Sequence, residues 1–460
     1  MTLSTKTDLY PYQEAAVQKL LPLRVGALYM EMGTGKTRTA LEIIRERAAR
    51  GKIDRVLWLC PCSVKRNLAV DLDKHATGWA DLIRICGIET LSASDRTFAD
   101  LLAYVNERTM CVVDESNLVK NNFAKRTRRV VALGERCRYR MILNGTPVSR
   151  NEADLYAQWC FLDQRIFGYR SFWSFARNHL EYDEHHRVRH VLDVDYLTEK
   201  IAPYSVVVRK SDVLQLPEKR YYERVFDLTA AQSYHYADVM GDLLMELDER
   251  NEATLYRLFT GLQQVTAGRR VYPLARPMRT EPFFADPHDN PRICCLLDTI
   301  GNSAEKIIIW TKYHHEASDI RSVLPAGSSA TATGELPVRR RAAEIERFRT
   351  DPGCRFLISS KTSGGYGLNL QFCHHAIYYD NDWDYATRAQ SEDRIHRLGQ
   401  EHAVEITDIS ADAKIDRRIL DCLNRKVRLS DEVKEQIAVN GDLKKWLNPA
   451  KERSICSKTS

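Results

Sequence analysis

The sequence predicts an α/β protein of two lobes in tandem, each built on a parallel sheet, with a mostly helical insertion. Short, near-continuous apolar runs alternate with helix-like stretches from residue 25 to about residue 146. That rhythm lapses over an aromatic, charged passage and a Pro-rich one, then resumes at about residue 306. The length of 460 residues is long for one core and comfortable for two or three domains.

In the first half the strand candidates are residues 26–30, 55–60, 82–86, 110–114 and 138–143. Most lack polar alternation, as strands buried on both faces of a parallel sheet should. Helical patterns lie between them, residues 36–49 for example. From residue 150 to about residue 206 the chain turns aromatic and charged, with Tyr156, Trp159, Phe161, Phe167, Phe172, Trp173 and Phe175. This reads as a helical insertion. Residues 219–271 continue with a polar, helix-favouring composition. The prolines 273, 277, 282, 287 and 291 then mark a boundary or surface loop.

The second half offers strands at residues 306–310, 355–359, 376–380 and 404–409, with helices at about 315–323, 338–348 and 386–396. The expected organisation is therefore a first lobe over residues 1–220, with the insertion at about 150–206. A helical protrusion and linker follows over 221–290, a second lobe over 291–425, and a polar helical tail over 426–460.

Composition narrows the function classes. Hydrophobic content of 44% and charged content of 28% are those of an ordinary globular protein. No apolar run reaches the ~18 residues of a membrane span, and the N-terminus lacks a signal-peptide core. A soluble protein in a reducing intracellular setting is expected. The 12 cysteines form no CxxC pair, and many sit in apolar runs, where a thiol packs as a small hydrophobe. The His-His pairs beginning at His185, His314 and His374 lack flanking ligands. A net charge of +6 permits a polyanionic partner without requiring one.

The segment Gly33-Thr-Gly-Lys-Thr37 follows an apolar strand and opens a helix, the setting a phosphate cradle requires. Glycines let backbone N–H groups approach phosphate oxygens, and the helix N-terminus adds positive potential. Lys36 would reach the β- and γ-phosphates of ATP, and the Thr37 hydroxyl would ligate Mg2+. Met30 stands where the usual motif has its first glycine. In Val112-Val-Asp-Glu-Ser-Asn117 a strand ends in two acids, where open parallel sheets place their ligands. Asp114 would hold Mg2+ through water, and Glu115 would orient the attacking water. Leu143-Asn-Gly-Thr-Pro147 closes a further strand.

In the second half, Ser359 to Leu370 is a Gly- and Ser-rich loop that would allow close approach to a phosphodiester backbone. Gln390, Arg394 and Arg397 follow at helical spacing, with both arginines expected on one helix face. They could stabilise charge on a transferring phosphoryl group.

In this order the segments resemble superfamily-two helicase-like ATPases, specifically the SWI/SNF-type family of double-stranded DNA translocases, over roughly residues 8–425. Leu9-Tyr-Pro-Tyr-Gln13 is similar to the family's opening motif. Leu59-Cys-Pro-Cys-Ser63 resembles its DNA-touching strand end, and Val208-Arg-Lys-Ser-Asp its segment absent from ordinary helicases. Gln390 to Gln400, ending His-Arg-Leu-Gly-Gln, is the most family-specific string. The resemblance implies two RecA-like lobes and an interdomain ATP site. ATP would meet Gln13, Met32, Gly33, Thr34, Gly35, Lys36, Thr37 and Gln390. Catalysis would fall to Lys36, Asp114, Glu115, Arg394 and Arg397, and Mg2+ to Thr37 and Asp114. Double-stranded DNA would be held with little sequence preference at Pro61, Ser63, Lys312, Thr362, Ser363, Gly364 and Asn369.

Asn117 stands where the family usually has histidine, and Asn144 where threonine is common. Both positions concern coupling rather than the chemical step. The absence of visible histone-reading segments suits a compact motor of the bacterial cytoplasm or a virus-infected cell, or of the nucleus if eukaryotic. The rival expectations are a strand-separating helicase, whose wedge could be a hairpin within residues 182–194, and an ATP-switched DNA-binding scaffold.

Overall fold

The computed structural model describes residues 3–145, 154–182, 188–247, 252–301, 303–361, 369–412, 414–427, 429–438 and 443–447. The chain divides into two compact units, Met1–Gln215 and Leu216–Ser460. Strands of the first are β1 (Ser4–Thr5), β2 (Val25–Met30), β3 (Arg55–Cys60), β4 (Ala76–Thr77), β5 (Ile83–Gly87), β6 (Thr109–Asp114), β7 (Tyr139–Asn144), β8 (Leu180–Tyr182), β9 (Val188–Val191) and β10 (Ser205–Val208). Those of the second are β11 (Lys219–Phe226), β12 (Arg269–Tyr272), β13 (Arg279–Pro282), β14 (Ile307–Thr311), β15 (Ser329–Ala332), β16 (Phe356–Ser360), β17 (His375–Tyr378) and β18 (Val404–Ala411).

The first unit holds a 6-stranded sheet in the order β10-β2-β7-β6-β3-β5, parallel throughout. Its apolar runs are continuous because both faces are covered. Ala27, Tyr29, Cys111 and Val113 enter the hydrophobic cluster on one face. Leu28, Met30, Met110 and Val112 enter the cluster on the other. The helix Leu155–Asp163 contributes Tyr156, Trp159, Phe161 and Leu162 to the first cluster, and Trp159 Nε1 donates to Tyr29 Oη at 3.1 Å. The aromatic insertion is thus core as well as surface.

The second unit repeats the architecture in the order β11-β18-β17-β14-β16-β15, a 6-stranded sheet that is again parallel. Ile307 and Ile309 face one cluster, Ile308 and Trp310 the other. The helices Ala230–Met245 and Glu252–Thr266 pack with Ile415 and Ile419 in a third cluster. Buried Arg292 donates to the Tyr379 carbonyl at 2.5 Å and pairs with Asp416, fastening the helix Pro291–Ile300 beneath the sheet.

Several elements differ from the sequence expectation. Residues 219–226 form a strand: β11 is an exposed edge, so its alternating charges and tyrosines look helix-compatible in sequence. β10, at the end of the expected helical insertion, returns to the first sheet beside β2. The start of the Pro-rich passage is the turn of an antiparallel pair, β12 just before it and β13 within it. Among the described residues, no helix is long and apolar enough to cross a membrane.

Candidate nucleotide site

β2 runs straight into residues 31–35, and the helix Lys36–Ala49 begins at once. Gly33 and Gly35 take φ of 84° and 86°, a region glycine enters without cost. A loop of this kind lets successive N–H groups converge on an anion at the positive end of a helix. A Cβ on Gly35 would lie 2.1 Å from Gln13 Nε2, so the position has no room for a side chain. Gln13 is buried. Its Nε2 donates to the Thr34 carbonyl at 3.0 Å, which Tyr12 Oη also reaches at 3.1 Å. Lys36 Nζ donates to the Met30 carbonyl at 2.7 Å. Met32 and Thr37 are half-buried on either side of the two glycines.

β7 separates β2 from β6, whose last residue is Asp114. Burial, and then the neighbouring Glu115, push the Asp114 carboxyl up to about 7, while Lys36 pulls it down. The Glu115 N–H donates to Asp114 Oδ1 at 3.0 Å. Glu115 itself adopts φ 50°, ψ 56°, a left-handed conformation that costs a non-glycine residue about 1 kcal/mol. The turn that follows is held down. Ser116 Oγ donates to Gln158 Oε1 at 2.5 Å, and Gln158 Nε2 donates to the Asp154 carbonyl at 2.9 Å.

These residues fit a nucleotide triphosphate with a divalent cation. Two glycines leave space for phosphate, and a carboxyl made costly to ionise by burial and a like charge gains from a cation. Among the described residues no three His, Cys, Asp or Glu are grouped to hold a metal. A cation here would rest on Asp114 and Thr37 with phosphate oxygens, the usual manner of Mg2+.

Buried Pro61 and exposed Ser63 follow β3, just before the helix Lys65–His75. Asn144 is buried and its Oδ1 accepts the Gly145 N–H at 2.9 Å. Thr146 and Pro147 lie outside the described residues, as do Thr362, Ser363 and Gly364.

In the second unit Gln390 lies half-buried on the helix Tyr385–Glu392. That helix stops before the arginines, so Arg394 and Arg397 do not share a helix face as their spacing predicted. Shorter turns replace it: the N–H groups of Arg394, Ile395 and Gln400 reach the carbonyls of Ser391, Glu392 and Arg397 at 3.3, 3.0 and 3.0 Å. Gly399, at φ 93°, closes the run. Arg394 is buried and its carbonyl accepts the Leu370 N–H at 3.0 Å. Arg397 Nη1 donates to Asn369 Oδ1 at 2.5 Å. The structure thus stitches the arginine strip to Asn369 and Leu370.

Lys312 turns inward. Its Nζ donates to Gln263 Oε1 at 2.7 Å and lies 3.3 Å from the centroid of the Trp383 ring. Burial lowers its pKa to about 8 despite Asp382 and Asp380.

Residues 65–266 match the SNF2-related domain, and residues 291–399 the helicase conserved C-terminal domain. The chain belongs to the SNF2-type helicase-like family. Residues 6–66 of this SNF2-type chain also match the type III restriction enzyme res subunit. YwqA of Bacillus subtilis, named for an ATP-dependent helicase/translocase, is 25% identical over 94% of the chain and 49% of its own length. The DNA annealing helicase and endonuclease ZRANB3 of Bos taurus is 24% identical over 79% of the chain and 34% of its length. The chain therefore spans about half, or less, of the length of these curated relatives. The Sulfolobus solfataricus SWI2/SNF2 ATPase core in complex with dsDNA aligns at 20% identity and a TM-score of 0.42, over 97% of this chain and 98% of that one.

Sequence reasoning missed Glu31, an acid inside the phosphate loop whose carboxylate accepts the N–H of Lys210 at 2.8 Å, a contact between residues far apart in sequence.

Proposed function

We propose that this ATPase is a motor that couples ATP hydrolysis to movement along double-stranded DNA. The observation carrying this reading is the coexistence, in one SNF2-type chain, of the cradle with its acid pair and the arginine strip bound to Asn369. Lys36 and the N–H groups of the loop bind the phosphates. Thr37 and Asp114 would hold Mg2+, which would supply positive charge to offset that of the phosphates. Glu115 orients the attacking water, and Gln13 and Gln390 complete the nucleotide contacts. Arg394 and Arg397 offset charge that develops on the transferred phosphoryl group. Pro61, Ser63 and Asn369 are assigned to the DNA backbone, whose phosphates give binding without much sequence preference.

ATP turnover with and without duplex DNA tests the motor, and absent turnover overturns it. A second reading is favoured by the antiparallel pair β8 and β9, an element of the kind a strand-separating wedge would use. Displacement of a triplex strand without unwinding of the duplex supports translocation; unwinding supports the second reading.

A further inference from the structure

Glu31 is bonded on both sides of the phosphate loop. Its N–H donates to the Val208 carbonyl at 3.0 Å, continuing the β2–β10 ladder past Met30 and Val208. Its Oε2 accepts the N–H of Lys210 at 2.8 Å. Its carbonyl accepts the Thr34 N–H at 3.2 Å and Thr34 Oγ1 at 2.7 Å. One residue therefore joins the middle of the loop to residues 208–210. The first unit ends soon afterwards, at Gln215.

An acid in a phosphate loop is unfavourable unless something offsets its charge, because like charges repel. Here the carboxylate is turned onto a backbone N–H, a charge-assisted bond stronger than a neutral one. The bond is partly buried, where a hydrogen bond to a charged group contributes more than a neutral one.

We propose that Glu31 is a positioning residue. It locks the phosphate loop to residues 208–210, so that the shape of the loop and the path by which the chain leaves the first unit are set together. This rests on the nucleotide reading of the loop.

The test compares E31A, E31D, E31Q and K36A in the full chain, with folding checked by circular dichroism. KM and kcat are measured with and without duplex DNA. Tryptic cleavage after Arg209 and Lys210 is followed with and without a non-hydrolysable ATP analogue. E31A should raise KM about tenfold, equivalent to about 1.4 kcal/mol, and abolish nucleotide protection of the cleavage sites. E31D, too short to reach, should behave likewise even if E31A folds poorly. E31Q keeps an acceptor oxygen and should restore both readouts. Wild-type KM and protection in E31A and E31D overturn the proposal, as does an E31Q as impaired as E31A. Retained nucleotide binding in K36A overturns instead the reading beneath it.

Discussion

The Gln13 side chain donates to the Thr34 carbonyl at 3.0 Å, and its Nε2 lies 2.1 Å from where a Cβ on Gly35 would stand. The helix Pro11–Leu20 thus sets the clearance of the phosphate loop. Gly35→Ala meets two penalties, the collision and φ of 86°. Nucleotide affinity should fall at least about tenfold, with a loss of about 1–2 kcal/mol in stability. A fluorescent nucleotide titration and a thermal melt measure both. Gln13→Ala in the same chain should recover part of the stability by removing the collision, while the strain remains. Wild-type affinity in Gly35→Ala would show that the loop is not the cradle.

Asp114 makes stability depend on pH. Its folded pKa, about 7, exceeds the unfolded value of about 3.9. Between these values the folded state keeps a proton that the unfolded state has released, so stability falls as pH rises through the window. Asp114→Asn should flatten that slope in the apo protein. Mg2+ with ADP should oppose it, because a cation favours the ionised carboxylate, and binding below pH 7 should release a proton. Calorimetry in buffers of different ionisation enthalpy counts that proton; none released at pH 6 would remove Asp114 from the metal site.

Lys312 was expected at the DNA, yet its ammonium sits between Gln263 and Trp383. Lys312→Ala should lower Tm by several degrees through lost packing and the lost contact with the Trp383 ring, while Gln263 Oε1 keeps Trp383 Nε1 as a donor at 2.7 Å. A phosphate contact would add about 1 to the salt dependence of DNA binding; this geometry predicts an unchanged slope. The pH effect has the opposite sign to that of Asp114. A lysine at about 8 when folded and about 10.4 when unfolded makes stability rise with pH across that range. The substitution should abolish the rise.

What the sequence displayed and what it hid follow from burial. β2, β3, β6 and β7 were readable because both faces are covered and their runs are continuously apolar. β11 was not, because an exposed edge strand of Arg220, Tyr221, Tyr222 and Glu223 carries no such run. The cradle could be read because Gly33, Gly35 and Lys36 must adjoin in sequence to work. Glu31 and Lys210 meet only through the pairing of β10 with β2, and no local pattern announces a contact of that separation. Side-chain direction was equally hidden: a lysine just after a strand can face solvent or, as Lys312 does, the interior.

Arg397 tests the division of labour within the second unit. Its Nη1 is bound to Asn369 Oδ1, and the Asn369 carbonyl also accepts from Arg349 Nη2 at 3.2 Å. A guanidinium fixed in this way is pre-oriented, which limits the entropy lost when it meets developing charge. Arg397→Ala should leave ATP binding nearly intact and lower DNA-stimulated turnover by about 10³ or more, the range of an arginine acting on phosphoryl transfer. Arg397→Lys keeps the charge without the fork and should recover only part of it. Asn369→Ala releases the arginine without removing it and should cost less than either. Glu115→Gln supplies the contrast: turnover stops while ATP stays bound, because the chemical step alone is removed. Normal stimulated turnover in Arg397→Ala would assign this arginine to holding the turn in place, and leave Arg394 as the charge that reaches the nucleotide.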